Sequence, residues 1–374
     1  MSIKRIFLNF MLLTFLTISG NSVAMDIVSK VSKMTPEQKI GQIIMLDFRK
    51  WKEEDSKEAT PVVNMRNGII KIIKKFFIGN IIFFAENFVD ENQTKELVQS
   101  FKDLQYNDIP MLFAVDQEGG KVQRIRFNVQ RYKDNGYIES NDEAYQKGYD
   151  IGKELSELGI NCNLAPVADV NSNPDNRVIG IRSFGSDPNI VAERCENFIK
   201  GLSKHGILSC LKHYPGHGDT LKDTHSELAT VLKTKEELEK CELIPFIHNI
   251  NNADMIMTAH ILLPNIDAKY PATFSKDILD IIKKFKKVII SDAMVMGAIA
   301  KNYGTNEACK LAIDAGVDIL CMPMELRGKE EDESKLTDLY DYLIKEMENN
   351  PEFKKRVDES VEKILELKNK MIKK

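Results

Sequence analysis

The sequence predicts an α/β protein folded as a single (β/α)8, TIM-type barrel, and three observations predict it. Eight short apolar runs are spread along the chain. Segments of helical period separate most of them. Ionisable residues stand directly after several of the runs, where the strands of a parallel barrel all open on one face.

In chain order, Thr35-Pro36-Glu37-Gln38 opens a helix with a hydroxyl cap, a proline in the first turn and an acid at the positive helix end. Residues 43–46 (IIML) form the first run, closed by Asp47. The polar stretch 49–60 reads as a surface insertion. The next runs are 80–84 (NIIFF), 111–115 (MLFAV, ended by Asp116) and 160–164 (INCNL, followed by Ala165-Pro166). Then come 208–211 (ended by Lys212-His213), 255–257 (ended by Thr258-Ala259-His260), 288–290 (ended by Ser291-Asp292) and 319–322 (ended by Pro323). Between them, Ala144, Gly148, Ile151, Leu155 and Leu158 fall at three- and four-residue steps, the spacing of one helix face. The lysine- and glutamate-rich tail, residues 325–374, carries Val357, Val361, Ile364, Leu365 and Leu367 on a weak apolar face and reads as a closing helix pair.

Continuous apolar strands alternating with amphipathic helices indicate a parallel sheet covered by helices. A doubly wound open sheet shares that pattern, but the GxGxxG fingerprint of its dinucleotide-binding version is absent. Asp116, Lys212, His213, His260 and Asp292 each follow a run directly, so a closed barrel gathers them on one rim.

Composition narrows the function. Of 374 residues, 52 are basic and 56 acidic, a net charge of −4 that gives nucleic-acid binding no electrostatic support. Lys4 and Arg5, the apolar stretch 6–18 and Ser22-Val23-Ala24 have the layout of a secretory signal peptide cleaved after Ala24. The expected organisation is therefore a signal at 1–24 and a barrel at 25–374, exported to the periplasm or beyond. The apolar stretch is shorter than the ~20 residues of a membrane span. The six cysteines form no CxxC pair, and their spacing reveals no disulfide. Oligomeric state is not legible.

Residues 211–226 (LKHYPGHGDTLKDTHS) concentrate His213, His217 and His225 around Pro215, Gly216 and Gly218. The proline and glycines break any helix and mark a turn. In Asp223-Thr224-His225, residues two apart share a side in an extended loop, so the carboxylate could hold one imidazole nitrogen and leave the other to move a proton. The same pattern also suits a histidine that merely braces a loop. Asp292 stands at a strand end, where a carboxylate can act as a nucleophile or simply cap the next helix.

The segment KHYPGHGDT followed by DTH resembles the KH-x-PGHG…DSH signature of family 3 glycoside hydrolases, in their β-N-acetylglucosaminidase branch. FAVDQEGGKVQRIR (113–126), VIGIRSFGSDP (178–188) and SDAMVMGAI (291–299) extend the resemblance over nearly all of the chain after the signal. The resemblance implies that Asp292 is the nucleophile of a retaining mechanism and that His225, held by Asp223, replaces the usual glutamate as acid and base. It implies substrate contacts from Asp116, Arg124, Arg182, Lys212 and His213, and a pocket-lining place for His260. His217 and Asp219 are expected to hold their loop. Lys121 stands where arginine is usual, and Thr224 where serine is commoner. No cofactor or metal is implied. The expected substrate is a β-linked glycan ending in N-acetylglucosamine, such as a peptidoglycan or chitin fragment.

Three other readings compete. His213, His217, His225 and Asp219 could bind zinc, but the turn keeps His213 and His217 off a common helix face and no HExxH is present. A non-catalytic glycan-binding barrel needs neither Asp292 nor the Asp223–His225 pair. A family 3 β-glucosidase is expected to take its acid from beyond the barrel.

Overall fold

The computed structural model describes residues 26–53, 56–106, 108–127, 132–220, 228–324 and 326–372. Eight parallel strands form its centre: β1 (Ile44–Leu46), β2 (Asn80–Phe83), β3 (Leu112–Val115), β4 (Cys162–Asn163), β5 (Leu208–Tyr214), β6 (Met255–Thr258), β7 (Val288–Ser291) and β8 (Leu320–Met322). They pair in the order β7-β6-β5-β4-β3-β2-β1-β8. A parallel bridge from Ile290 to Ile319 joins β7 to the approach of β8 and closes the ring. The barrel expectation holds, with a strand at each of the eight apolar runs.

The strands are buried along their whole length, because helices cover the outer face and side chains fill the inner one. Local sequence sets the helix boundaries. α1 (Pro36–Ile43) starts at Thr35, whose hydroxyl accepts from Gln38 N while the Gln38 side chain caps Thr35 in return. α2 (Asn141–Glu157) starts at Ser140, which caps Glu143 N, and buries Ala144, Gly148, Ile151 and Leu155. The tail forms the expected pair, α3 (Glu330–Asn349) and α4 (Pro351–Ile372), with Val357, Val361, Ile364, Leu365 and Leu367 buried.

Two expectations need correction. The stretch 49–60 is not merely a surface insertion. Lys50–Trp51 pairs with Thr60–Pro61, Trp51 is buried, and the Arg49 guanidinium lies 3.4 Å over the Phe84 ring at the cavity wall. Strand β5 does not stop at Leu211 but continues through Lys212 and His213 to Tyr214. Buried partners that follow β3 and β4 meet those two polar residues, Asp116 and Glu118 for Lys212 and Asp169 for His213, so the strand can carry them inward.

The six cysteines are free. No helix among the described residues is long and apolar enough to cross a membrane. The signal-peptide reading of residues 1–24 lies outside the described residues.

Candidate active site

At the C-terminal ends of the strands lies a cavity of about 620 Å³, within the ~300–1,000 Å³ range of small-ligand pockets. Asp116, Arg124, Arg182, Lys212, His213 and Asp292, all anticipated from the sequence, line it together. Asp223 and His225 lie outside the described residues.

One wall of the cavity is a desolvated charge cluster. Lys212 Nζ donates to Asp116 Oδ1 at 2.8 Å and lies 2.7 Å from Glu118 Oε1. Arg182 grips Glu118 with two bonds, Nε to Oε2 at 2.9 Å and Nη2 to Oε1 at 2.7 Å. Arg124 Nη2 lies 3.7 Å from Asp116 Oδ2. Lys212 and Glu118 are sealed, with side chains 2% and 1% exposed, whereas Asp116 keeps 18% open to the cavity. Glu118 is therefore the anion that Arg182 and Lys212 share, and Asp116 keeps a free carboxylate edge able to accept hydrogen bonds from a ligand. Burial works to raise the Glu118 pKa, but Arg182 and Lys212 outweigh it and hold the group far below the carboxylate range. Burial likewise works against the Lys212 charge, and Asp116 and Glu118 overcome it.

A second buried carboxylate organises the histidine turn. Asp169 Oδ2 accepts from His213 Nδ1 at 2.7 Å, and Oδ1 accepts from His217 N at 2.6 Å. That bond fixes the His213 tautomer and leaves Nε2 as its remaining polar atom. Burial favours neutral Asp169, but His213 and His217 keep its pKa below the usual value. His217 braces the loop as expected: its carbonyl accepts from Asn176 Nδ2 and its Nδ1 meets the Thr220 hydroxyl at 2.8 Å. It also lines the cavity. The Asp219 carboxylate pairs with Lys233 at 3.4 Å. Gly218 cannot be replaced, since a Cβ there would stand 1.7 Å from the Val170 carbonyl oxygen.

Asp292 follows β7 directly and is half-buried. Its N–H donates to Thr258 O at 3.1 Å, and its Oδ1 accepts the Ala293 N–H at 2.7 Å. Burial alone would raise its pKa. His213, His260, the Ala293 N–H and Lys212 outweigh burial and hold Asp292 below the usual value, ionised at neutral pH. Met257, Val295 and Met296 supply the apolar wall beside it. His260 is not a pocket-lining residue, as the resemblance suggested. It is fully buried, and its Nε2–H donates to the Ala293 carbonyl at 3.1 Å, bracing the Asp292 segment from behind.

Sequence reading missed Glu118, Asp169 and Arg49. Glu118 stands inside the VDQEGG segment, two residues past the charge that ends its run, and nothing local in the sequence marks it as buried. Asp169 ends the apolar stretch 164–168, the same signal that marked Asp116 and Asp292. Among the described residues no group of three acidic, histidine or cysteine side chains is placed to hold a metal ion.

Comparison with known proteins places the arrangement. Residues 35–367 match the family described as the glycosyl hydrolase family 3 N terminal domain. A protein named beta-hexosaminidase A from Pseudoalteromonas piscicida is 33% identical over 372 residues, covering 90% of this chain and 62% of its own length. A beta-hexosaminidase from Xylella fastidiosa (strain M23) is 32% identical over 262 residues, covering 66% of this chain and 77% of its own. A solved glycoside hydrolase family 3 beta-N-acetylglucosaminidase from Paenibacillus sp. str. FPU-7 superposes with a TM-score of 0.81 at 32% identity, covering 91% of this chain and 63% of that one. The chain thus spans less than two thirds of the first and third of these relatives. On the family match, the barrel and these identities, the chain belongs to glycosyl hydrolase family 3.

Proposed function

We propose that this chain is a retaining exo-β-N-acetylglucosaminidase that removes terminal N-acetylglucosamine from β-linked glycans. One observation carries the reading: an ionised Asp292 shares a single sugar-sized cavity with the Asp116–Lys212–Glu118–Arg182 cluster. The relatives named beta-hexosaminidase support it.

In this mechanism Asp116, Arg124, Arg182, Lys212 and His213 bind the terminal sugar. An Asp292 oxygen attacks the anomeric carbon as the bond to the leaving oxygen breaks. His225, held by Asp223, gives its proton to that oxygen. A water then attacks the glycosyl ester and passes its proton to His225, and Asp292 leaves as the free carboxylate. The roles of Asp223 and His225 rest on the DTH motif. The proposed setting is the periplasm or exterior, on the strength of the N-terminal signal pattern, with peptidoglycan fragments as substrate.

A chromogenic N-acetylglucosaminide tests the activity, with Asp292→Ala expected to lower kcat by about 10³-fold or more. His225→Ala is expected to slow a natural disaccharide far more than an activated aryl glycoside. Full rate on the disaccharide in that variant removes His225 from the mechanism. Mass analysis of products from muropeptides and from chitobiose decides the substrate class.

A further inference from the structure

The turn bearing Asp116 and Glu118 and the loop bearing Arg182 are fastened from behind by a side chain outside the cavity. Lys147 lies on α2 and is only 5% exposed. Its Nζ donates to the Lys133 carbonyl at 2.7 Å and to Asn135 Oδ1 at 2.6 Å. Its Cε occupies the place of a missing side chain, since a Cβ on Gly119 would stand 2.6 Å from it. The adjoining Gly120 N–H donates to the Tyr132 carbonyl at 2.8 Å. Asn135 in turn donates through Nδ2 to the Arg182 carbonyl at 2.6 Å. Arg182 grips Glu118, one residue from Gly119. The contacts form a closed ring: Lys147, Asn135, Arg182, Glu118, Gly119 and back to Lys147.

We propose that Lys147 is a positioning residue for the sugar-binding wall, holding Arg182 and Glu118, and through them Lys212 and Asp116, in the geometry that receives substrate. It touches no substrate itself. The inference rests on the function proposed above and extends it to a control on binding. A buried ammonium on a helix face is costly, and a methionine there would pack without that cost. The contacts it makes are both with the segment that carries Asn135, which is the link to Arg182.

The charged groups facing Lys147 are Glu118 from the turn and Asp134 from the segment beside it. Burial lowers its pKa from the usual lysine value to about 7, with those two carboxylates opposing the fall. Its charge therefore changes within the working range of an enzyme. As pH rises through about 7 the ammonium becomes an amine, its two hydrogen bonds lose their charge assistance and its attraction to Glu118 ends. Binding weakens while Asp292, on the other side of the barrel, is untouched.

The experiment is steady-state hydrolysis of 4-nitrophenyl N-acetyl-β-glucosaminide between pH 6 and 9, with calorimetric titration of N-acetylglucosamine beside it. Wild-type protein is expected to show KM and the dissociation constant rising as pH passes about 7. Lys147→Met is expected to raise both by about 10-fold at pH 6, flatten their pH dependence there, and leave kcat within about twofold. Asn135→Ala cuts the link to Arg182 while keeping the lysine, and is expected to do the same should Lys147→Met fold poorly. Thermal unfolding of each variant reports stability separately. An active wild type whose variants lose stability but keep KM and its pH profile overturns the positioning role. A wild type that neither binds nor cleaves overturns the proposed function, and this inference with it.

Discussion

At the closed end of the barrel, below the N-terminal ends of the strands, Asp318 is fully buried and fully spoken for. Its Oδ1 accepts from Arg356 at 2.7 Å and Ser360 at 2.9 Å, and its Oδ2 accepts from Ile289 N at 2.9 Å and Lys363 at 3.1 Å. Lys368, on the same helix, is buried and has no carboxylate partner among the described residues; it donates to Gln42 Oε1 at 2.7 Å and the Gly79 carbonyl at 2.9 Å. All these side-chain donors come from α4, the terminal helix that caps this end. At the open end the same economy of paired charges is left unfinished. Glu118 and Asp169 are closed off, but Asp116 and Asp292 keep an edge toward the cavity. Finished networks hold a fold, and unfinished ones leave bonds for a ligand to make.

Substitutions at the two ends sharpen this contrast. The largest effect is expected from Glu118→Gln. It leaves Arg182 and Lys212 facing each other with one carboxylate fewer, costs about 3 kcal/mol of stability and raises KM by about 10-fold or more. Denaturant unfolding and steady-state kinetics on the same preparation check both. Asp318→Asn is expected to cost a similar ~2–4 kcal/mol, because Arg356 and Lys363 lose their shared anion, yet to leave KM within about twofold. A changed KM in Asp318→Asn, or an unchanged one in Glu118→Gln, breaks the division between the two ends.

A smaller effect concerns pH. Burial lowers Lys368 from the usual lysine value to about 7 in the folded protein. Between about pH 7 and the ~10.4 of a free lysine the unfolded chain binds a proton that the folded chain does not. Stability contributed at this site therefore rises with pH across that window, by at most ~1.4 kcal/mol per pH unit, and is lowest below about pH 7. Lys368→Met is expected to remove that rise from a series of urea unfolding curves. An unaltered pH slope shows that Lys368 does not titrate there.

Much of this was legible beforehand because burial on both faces writes a parallel strand as an unbroken apolar run. Most of the eight strands announced themselves that way, β4 least clearly because Asn161 and Asn163 interrupt its run, and Asp116 and Asp292 stood out as the charges that ended two of them. The polar members of the network were harder to place. Lys212 and His213 looked like the end of a strand because their neutralising partners, Asp116, Glu118 and Asp169, come from strands far away in sequence. Glu118 carries no local signal for the same reason. Lys147 interrupts the apolar face of its helix and reads as a surface lysine until Asn135 and Gly119 are seen against it. Pairing across the barrel decides these cases, and a single sequence does not contain it.

The most direct measurement is to trap the enzyme with a slow 5-fluoro N-acetylglucosaminyl donor, digest it and map the attached sugar by mass spectrometry. The sugar is expected as an ester on Asp292, lost in Asp292→Ala and blocked by excess N-acetylglucosamine. A sugar fixed to another residue, or undiminished turnover in Asp292→Ala, contradicts the assignment of Asp292 as the attacking group in this cavity.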